Sequence, residues 1–234
     1  MKKPGANQSA VNQSGVNQSG DLKRVVTIGI AGGIGAGKSL VAEELAFAGC
    51  VVSDSDAQSR EVLRQGAVRD ELVRWWGKGI LGSDGQVDRG RVGAIVFGDG
   101  AERKRLESLI HPMLVAGRDA LRAKAAATGA LAFVIDAPLL FEAGLDGECD
   151  AVIFVDSTRE KRLRRVKSTR GWTEEELTNR EAAQWPLDDK RKRCAYSVMN
   201  QGDRADVQRQ VRATLGVILA EMAAQGGSPR PPIQ

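Results

Sequence analysis

Residues Gly32-Gly33-Ile34-Gly35-Ala36-Gly37-Lys38-Ser39 satisfy the pattern G-x-x-x-x-G-K-S/T. The chemistry of that spacing is anion binding. Glycines let the backbone turn its N–H groups inward without a Cβ in the way, and these donors add to the positive end of a following helix to hold phosphate oxygens. Lys38 then reaches the β- and γ-phosphates of a nucleoside triphosphate, and the Ser39 hydroxyl ligates Mg²⁺. The motif has the context it needs, because "VVTIGIA" reads as a strand before it and "SLVAEELAFAG" as a helix after it.

Further along, "VVSDSDAQSR" carries Asp54 and Asp56. In an extended chain two residues apart share a face, so both carboxylates are expected at the carboxyl end of a strand neighbouring the P-loop strand. One can order Mg²⁺ or its waters and the other can accept a hydroxyl proton; a capping role for one of them at the next helix stands beside that reading. Seven of the twelve residues from Arg159 to Arg170 are Lys or Arg. Capping-box pairs Ser157/Glu160 and Thr173/Glu176 bracket this run as one helix over residues 158–169, with Arg162 and Arg165 on one face and Leu163 and Val166 on another. Either it is a solvated face or it is an arginine arm that folds over phosphates. Nucleic acid is not the expected partner, since there is one Tyr and no zinc-finger or basic-zipper pattern. His111, in "LIHPML", reads as a helix-boundary histidine, and Trp75 and Trp76 as packing residues. The "NQGD" at Asn200–Asp203 differs by one residue from the guanine-reading Asn-Lys-x-Asp, which keeps a GTP-dependent switch in view.

These residues must be positioned by a framework. Short β-branched runs alternate with helical stretches: "VVTIGIA", "CVVSDSD", "LAFVIDAP", "DAVIFVDS" and "AYSVMN" are the strands. Alternation of this kind predicts an α/β fold, a parallel five-stranded sheet flanked by helices as in P-loop NTPases. About 70 residues separate the second and third strands, too many for one crossover, and predict a helical lobe at about 57–130 that closes over a ligand. The folded domain is expected at 23–224. Residues 1–22, with their Asn-Gln-Ser repeat, are expected to be a disordered arm, and 225–234 a flexible tail. At 34 basic against 30 acidic residues the surface is mixed rather than polycationic. No apolar run reaches membrane-spanning length, and three distant cysteines suit a reducing cytoplasm, so a membrane partner is not expected.

An ordered set of segments extends the P-loop: "GIAGGIGAGKS", "SDSDAQSREVL", "DGQVDRGRVGAIVFGD", "RLESLIHPML", "DAPLLFEAGL", "VDSTREKRLRRV" and "TEEELTNREAAQWPLDDKRKRCAYSVMNQGD". In this order they resemble the dephospho-coenzyme A kinase family, from about Val25 to Leu219. The resemblance implies ATP and Mg²⁺, with dephospho-CoA as acceptor and its ribose 3′-hydroxyl as the group phosphorylated. It implies a helical substrate lobe and a basic lid at about 157–185. By position, Asp56 matches the catalytic acid, Gly33 through Leu40 the ATP loop, and Arg165 a lid arginine. Asp54, His111, Pro138, Leu139, Leu140 and Glu142 match segments at or flanking the acceptor site. Leu40 replaces the family's usual Thr, Thr169 stands where a second lid arginine is common with Arg170 one step on, and Tyr196 replaces an Asp. Another small-molecule or nucleotide kinase is the alternative. Oligomeric state and the groups gripping the pantetheine arm are left open.

Overall fold

The computed structural model describes residues 24–225; the expected N-terminal arm and the tail after Gln225 lie outside them. Five strands, β1 (Thr27–Gly32), β2 (Val51–Asp54), β3 (Phe133–Asp136), β4 (Ala151–Asp156) and β5 (Tyr196–Met199), form one parallel sheet in the order β2-β3-β1-β4-β5. Four of the five strands fall within the segments read from sequence, and β1 runs one residue past its segment, into Gly32 of the P-loop motif. The expected neighbourhood does not hold, because β3 lies between β2 and the P-loop strand β1. Strand order follows from long-range pairing, which local pattern does not encode.

Alternation along each strand supplies two cores. Ile28, Ile30, Val134, Ile153 and Val155 face α1 (Lys38–Phe47) and α9 (Arg204–Ala224), where Val41, Leu45, Val211 and Ile218 meet them. Phe133, Ile135, Val152 and Phe154 face the opposite way, toward Leu140, Phe141 and Ala125. A sheet buried on both faces explains why its strands read as near-continuous apolar runs.

Between β2 and β3 the chain builds a lobe from α2 (Ser55–Arg64), α3 (Gly66–Trp76), α4 (Arg89–Gly98) and α5 (Gly100–Ala127). Its core joins Val62, Leu72, Ile80 and Val92 to Leu106, Leu109, Ile110 and Met113 of α5, with Trp75 and Trp76 packed beside them. Further along α5, Leu121 and Ala125 enter the sheet's core, so one 28-residue helix belongs to both lobe and sheet. Buried Arg118 fastens this beam by a bidentate pair with Glu148, at 3.1 and 2.6 Å. Pro112 lies inside α5, and His111 is therefore an exposed mid-helix residue, not a helix boundary. A proline in a helix interior costs about 3 kcal/mol; the apolar residues on either side of it, packed in the lobe, outweigh that.

After β4 come α6 (Arg159–Arg170), α7 (Glu174–Ala182) and α8 (Leu187–Lys192). The Thr173/Glu176 capping box is present. Its expected counterpart at Ser157/Glu160 is not: Thr158 is the N-cap, accepting from the Lys161 amide, while buried Ser157 donates to the Asn200 carbonyl. No described helix is long and apolar enough to cross a membrane.

Candidate active site

In a parallel sheet, every strand delivers its carboxyl end and the loop after it to one edge. Here that edge carries Gly32, Asp54, Asp136 and Asp156, and a cleft of about 1130 Å³ opens beside the first three. The P-loop, both candidate aspartates, Pro138, Leu139, Arg165, Arg170 and α7 line it.

The glycines act through the backbone. Gly35 and Gly37 have φ of +75° and +92°, a region that costs any L side chain strain, and a Cβ on Gly37 would collide with the Asn200 amide nitrogen. Among the described residues, the amides of Gly35 and Gly37 have no acceptor within the protein. Gly37 caps α1, whose first turn holds no acidic side chain to neutralise the helix's positive end. Ala36 is buried beneath the loop, and Ile34 lines its mouth. The Ala36 amide closes the loop on Gly33 O, and the Gly35 and Gly37 amides are left for an anion, which is what a phosphate chain requires.

Lys38 folds back across this rim, its Nζ donating to the carbonyls of Gly32 (3.1 Å) and Gly33 (3.2 Å). Burial pushes its ammonium down from 10.5 to about 8; Lys190, Arg170 and Arg162 push the same way, and Asp136 opposes them. Asp136 is pushed up by burial, with Asp54 and Asp56 adding to the rise against the pull of Lys38. Sequence reading did not single out Asp136. In register it pairs with Ile30 of β1 and with Asp54 of β2, so it stands between the P-loop strand and the candidate pair. Its sequence signals are the apolar run "FVID" ending in an acid, shared in kind with "AVIFVD", and its place as the first residue of "DAPLLFEAGL".

Asp54 and Asp56 do not share a strand face. The strand ends at Asp54, whose Oδ1 accepts from the Ala57 amide at 2.8 Å as the N-cap of α2, and Arg60 stands 4.0 Å from its other oxygen. Asp56 sits in the first turn of α2, exposed to the cleft, with no hydrogen-bond or ion-pair partner among the described residues. Capping uses one carboxylate and leaves the other free.

The basic helix is not a free arm. Arg165 donates to Gly35 O (3.1 Å), Ala36 O (3.0 Å), Ser157 Oγ (3.0 Å), and Asn200 O (2.9 Å) and Oδ1 (3.1 Å). Arg162, buried, reaches Ile34 O at 3.3 Å and pairs with Glu181 of α7. Val166 is buried on the same side, within reach of Gly35, so the expected separation of an arginine face from an apolar face does not hold. Residues 162 and 166 are four apart and share a face. Asn200 closes this brace by donating to Ala36 O at 2.8 Å. Its side chain thus serves the P-loop in this fold, which tells against a guanine-reading role.

Other expected site residues lie apart. Leu40 packs against the sheet core while its amide donates to Gly37 O. Leu140 is buried in the opposite core. Glu142 turns away from the cleft to pair with buried Lys190 (2.7 Å) and accept from the Trp185 amide (2.9 Å), anchoring the segment between α7 and α8. His111 does not line the cleft. Ser39 does, as an exposed residue.

A family model described as dephospho-CoA kinase matches residues 26–206. A dephospho-CoA kinase of Geobacillus kaustophilus is 40% identical over 192 residues, 81% of this chain and 95% of that protein. One from Arabidopsis thaliana is 35% identical, covering 80% of this chain and 82% of that protein. Among solved structures, TT1252 from Thermus thermophilus superposes with a TM-score of 0.71 at 34% identity, covering 83% of this chain and 98% of that one. Dephospho-CoA kinase from Campylobacter jejuni shares the fold with a TM-score of 0.57 at 22% identity, over 82% and 96%.

Proposed function

The chain belongs to the dephospho-CoA kinase family, and from that premise we propose that it transfers the γ-phosphoryl group of ATP to the ribose 3′-hydroxyl of dephospho-CoA, the last step of coenzyme A synthesis. The observation that carries this reading is one cleft holding both Lys38 and Ser39 of the P-loop and an unpaired carboxylate, Asp56. The loop amides and Lys38 hold the triphosphate. Asp56 orients the 3′-hydroxyl and takes its proton as the oxygen–phosphorus bond forms; the bond from the γ-phosphorus to the β,γ-bridging oxygen breaks, and ADP leaves with that electron pair. Arg165 keeps the loop in shape. Leu139 and Pro138, exposed on the cleft wall, meet the acceptor, and the free thiols suit a cytoplasmic setting.

Mg²⁺ fits the donors present. Ser39 and Asp136 offer hard oxygens, and burial, with the neighbouring Asp54 and Asp56 carboxylates adding to it, raises Asp136. Among the described residues no three His, Cys, Asp or Glu side chains form a metal-holding group; Mg²⁺ is usually held by one or two protein oxygens together with substrate phosphates and water. Bound there, it would offset charge on the phosphate oxygens.

Transfer to dephospho-CoA should exceed transfer to adenosine or AMP by at least about 10²-fold in kcat/KM, because binding energy from the rest of the acceptor is used to align the ribose. With no acceptor present, ATP hydrolysis should be slower than transfer by a similar factor, roughly 10²-fold, since the cleft completes itself only around both substrates. A radiolabelled γ-phosphate assay reads both. AMP phosphorylated as well as dephospho-CoA would favour the nucleotide-kinase alternative.

Lys38 gives the pH dependence. Below about pH 8 its ammonium is charged and ATP affinity is flat; above it, affinity falls by up to about tenfold per pH unit as binding must first restore the proton. The folded chain alone behaves oppositely: between about 8 and 10.5 the unfolded lysine holds more protons than the folded one, so this group's contribution to stability rises with pH. Calorimetry at pH 9 in two buffers of different ionisation enthalpy should show proton uptake on ATP binding, absent at pH 6.5.

A further inference from the structure

Five cations line the cleft: Lys38, Arg60, Arg165, Arg170 and Arg180. Three are engaged, Lys38 and Arg165 by loop carbonyls and Arg60 beside Asp54. Arg170 and Arg180 have neither a hydrogen-bond nor an ion-pair partner among the described residues. They share something else. The guanidinium carbon of Arg170 lies 4.8 Å, and that of Arg180 4.1 Å, from the centroid of one indole ring, Trp172, which itself lines the cleft.

The backbone explains how the ring comes to be there. Gly171, at φ +67°, ends α6 in a left-handed conformation, its amide donating to Lys167 O and that of Trp172 to Val166 O. This C-cap turns the chain sharply, and the Thr173 capping box starts α7 one residue after Trp172. The indole therefore sits at the corner of the two helices, contacting an arginine from each. The α6 side of this corner is fixed to the P-loop by Arg162 and Arg165. Arg170 is also near enough to the loop to depress the Lys38 ammonium. Two like charges share one aromatic ring in the cleft with no ion-paired carboxylate among the described residues, an arrangement suited to a polyanion.

We propose that Trp172 is a positioning residue that holds Arg170 and Arg180 as a paired guanidinium clamp on the phosphate chain of the bound nucleoside triphosphate, while Arg165 serves the loop rather than the phosphates. This rests on the P-loop reading of ATP but not on the identity of the acceptor. An indole face attracts a guanidinium through its quadrupole, and Phe keeps such a face where Leu keeps only bulk.

The test measures ATP affinity by equilibrium dialysis, kcat/KM for ATP, and thermal melting on the full chain. Trp172→Leu should weaken ATP binding and lower kcat/KM about tenfold, and Trp172→Phe should restore both to within about threefold of the parent. Arg170→Met and Arg180→Met should each lower kcat/KM by at least about tenfold, and AMP, lacking the outer phosphates, should bind the Trp172→Leu chain as it binds the parent. All four variants should melt as the parent does. Unchanged ATP parameters in Trp172→Leu and in both arginine variants, or a loss that Phe fails to restore at unchanged melting temperature, would overturn the clamp. A parent chain that binds ATP with this dependence on Trp172 yet does not phosphorylate dephospho-CoA would overturn the acceptor reading and leave the clamp standing.

Discussion

Replacing Asp56 by Ala should lower kcat about 10³-fold and change ATP affinity by no more than about threefold. The expectation comes from how the two acids differ in occupation. Asp54 already accepts from the Ala57 amide and faces Arg60, so its charge is committed to the start of α2. Asp56, two residues on, faces the cleft with no hydrogen-bond or ion-pair partner among the described residues. A positioned base contributes about 10²–10⁴-fold, and because the proposed role of Asp56 is toward the acceptor, removing it should leave the triphosphate's donors intact. Asp54→Ala supplies the contrast: loss of a helix cap costs about 1 kcal/mol and lowers the melting temperature, with a far smaller effect on kcat. Stopped-time transfer assays and calorimetric ATP titration of both variants separate the roles. Equal losses of kcat in the two variants would mean that the acids act as a unit.

Substituting Lys38 by Met should abolish measurable ATP binding and reduce kcat/KM by about 10³-fold. A unit charge about 4 Å from a phosphate charge is worth about 4 kcal/mol at an effective dielectric constant of 20, or three decades. The folded chain holds this ammonium partly desolvated, clasped by two loop carbonyls, at a pKa of about 8. Such a charge burdens the free protein and is rewarded only when an anion arrives. The same variant should therefore melt at or above the parent's temperature at pH 7. A chain that melted lower and bound ATP normally would show the lysine to be structural.

The P-loop was legible because its residues are dictated by local backbone geometry: Gly35 and Gly37 must adopt positive φ, and a lysine and serine must open the helix. The strands were legible because a sheet covered on both faces leaves apolar runs. Asp136 was not, since nothing in "FVID" says that its strand lies beside β1 rather than at an edge. The same missing information misplaced β2. Asp54 and Asp56 were assigned one face because the strand was extrapolated past the residue that caps the next helix. Arg165 carried a correct signal of proximity and a different purpose, since side-chain spacing shows which residues share a face but not that loop carbonyls await them. Asn200 sat in a near-motif whose amide the fold spends on Ala36. At His111, packing in the lobe overrode the boundary that Pro112 implied.

The account rests on a triphosphate held by the loop and a ribose hydroxyl readied by Asp56. A crystal structure with dephospho-CoA, Mg²⁺ and a β,γ-imido analogue of ATP tests it most directly. It should place an Asp56 carboxylate oxygen within about 3.2 Å of the ribose 3′-oxygen, with that oxygen in line with the γ-phosphorus and its far bridging atom. A ribose whose 3′-oxygen faces Asp54 or Asp136 instead, or a triphosphate seated away from the Gly33–Ser39 amides, would contradict it.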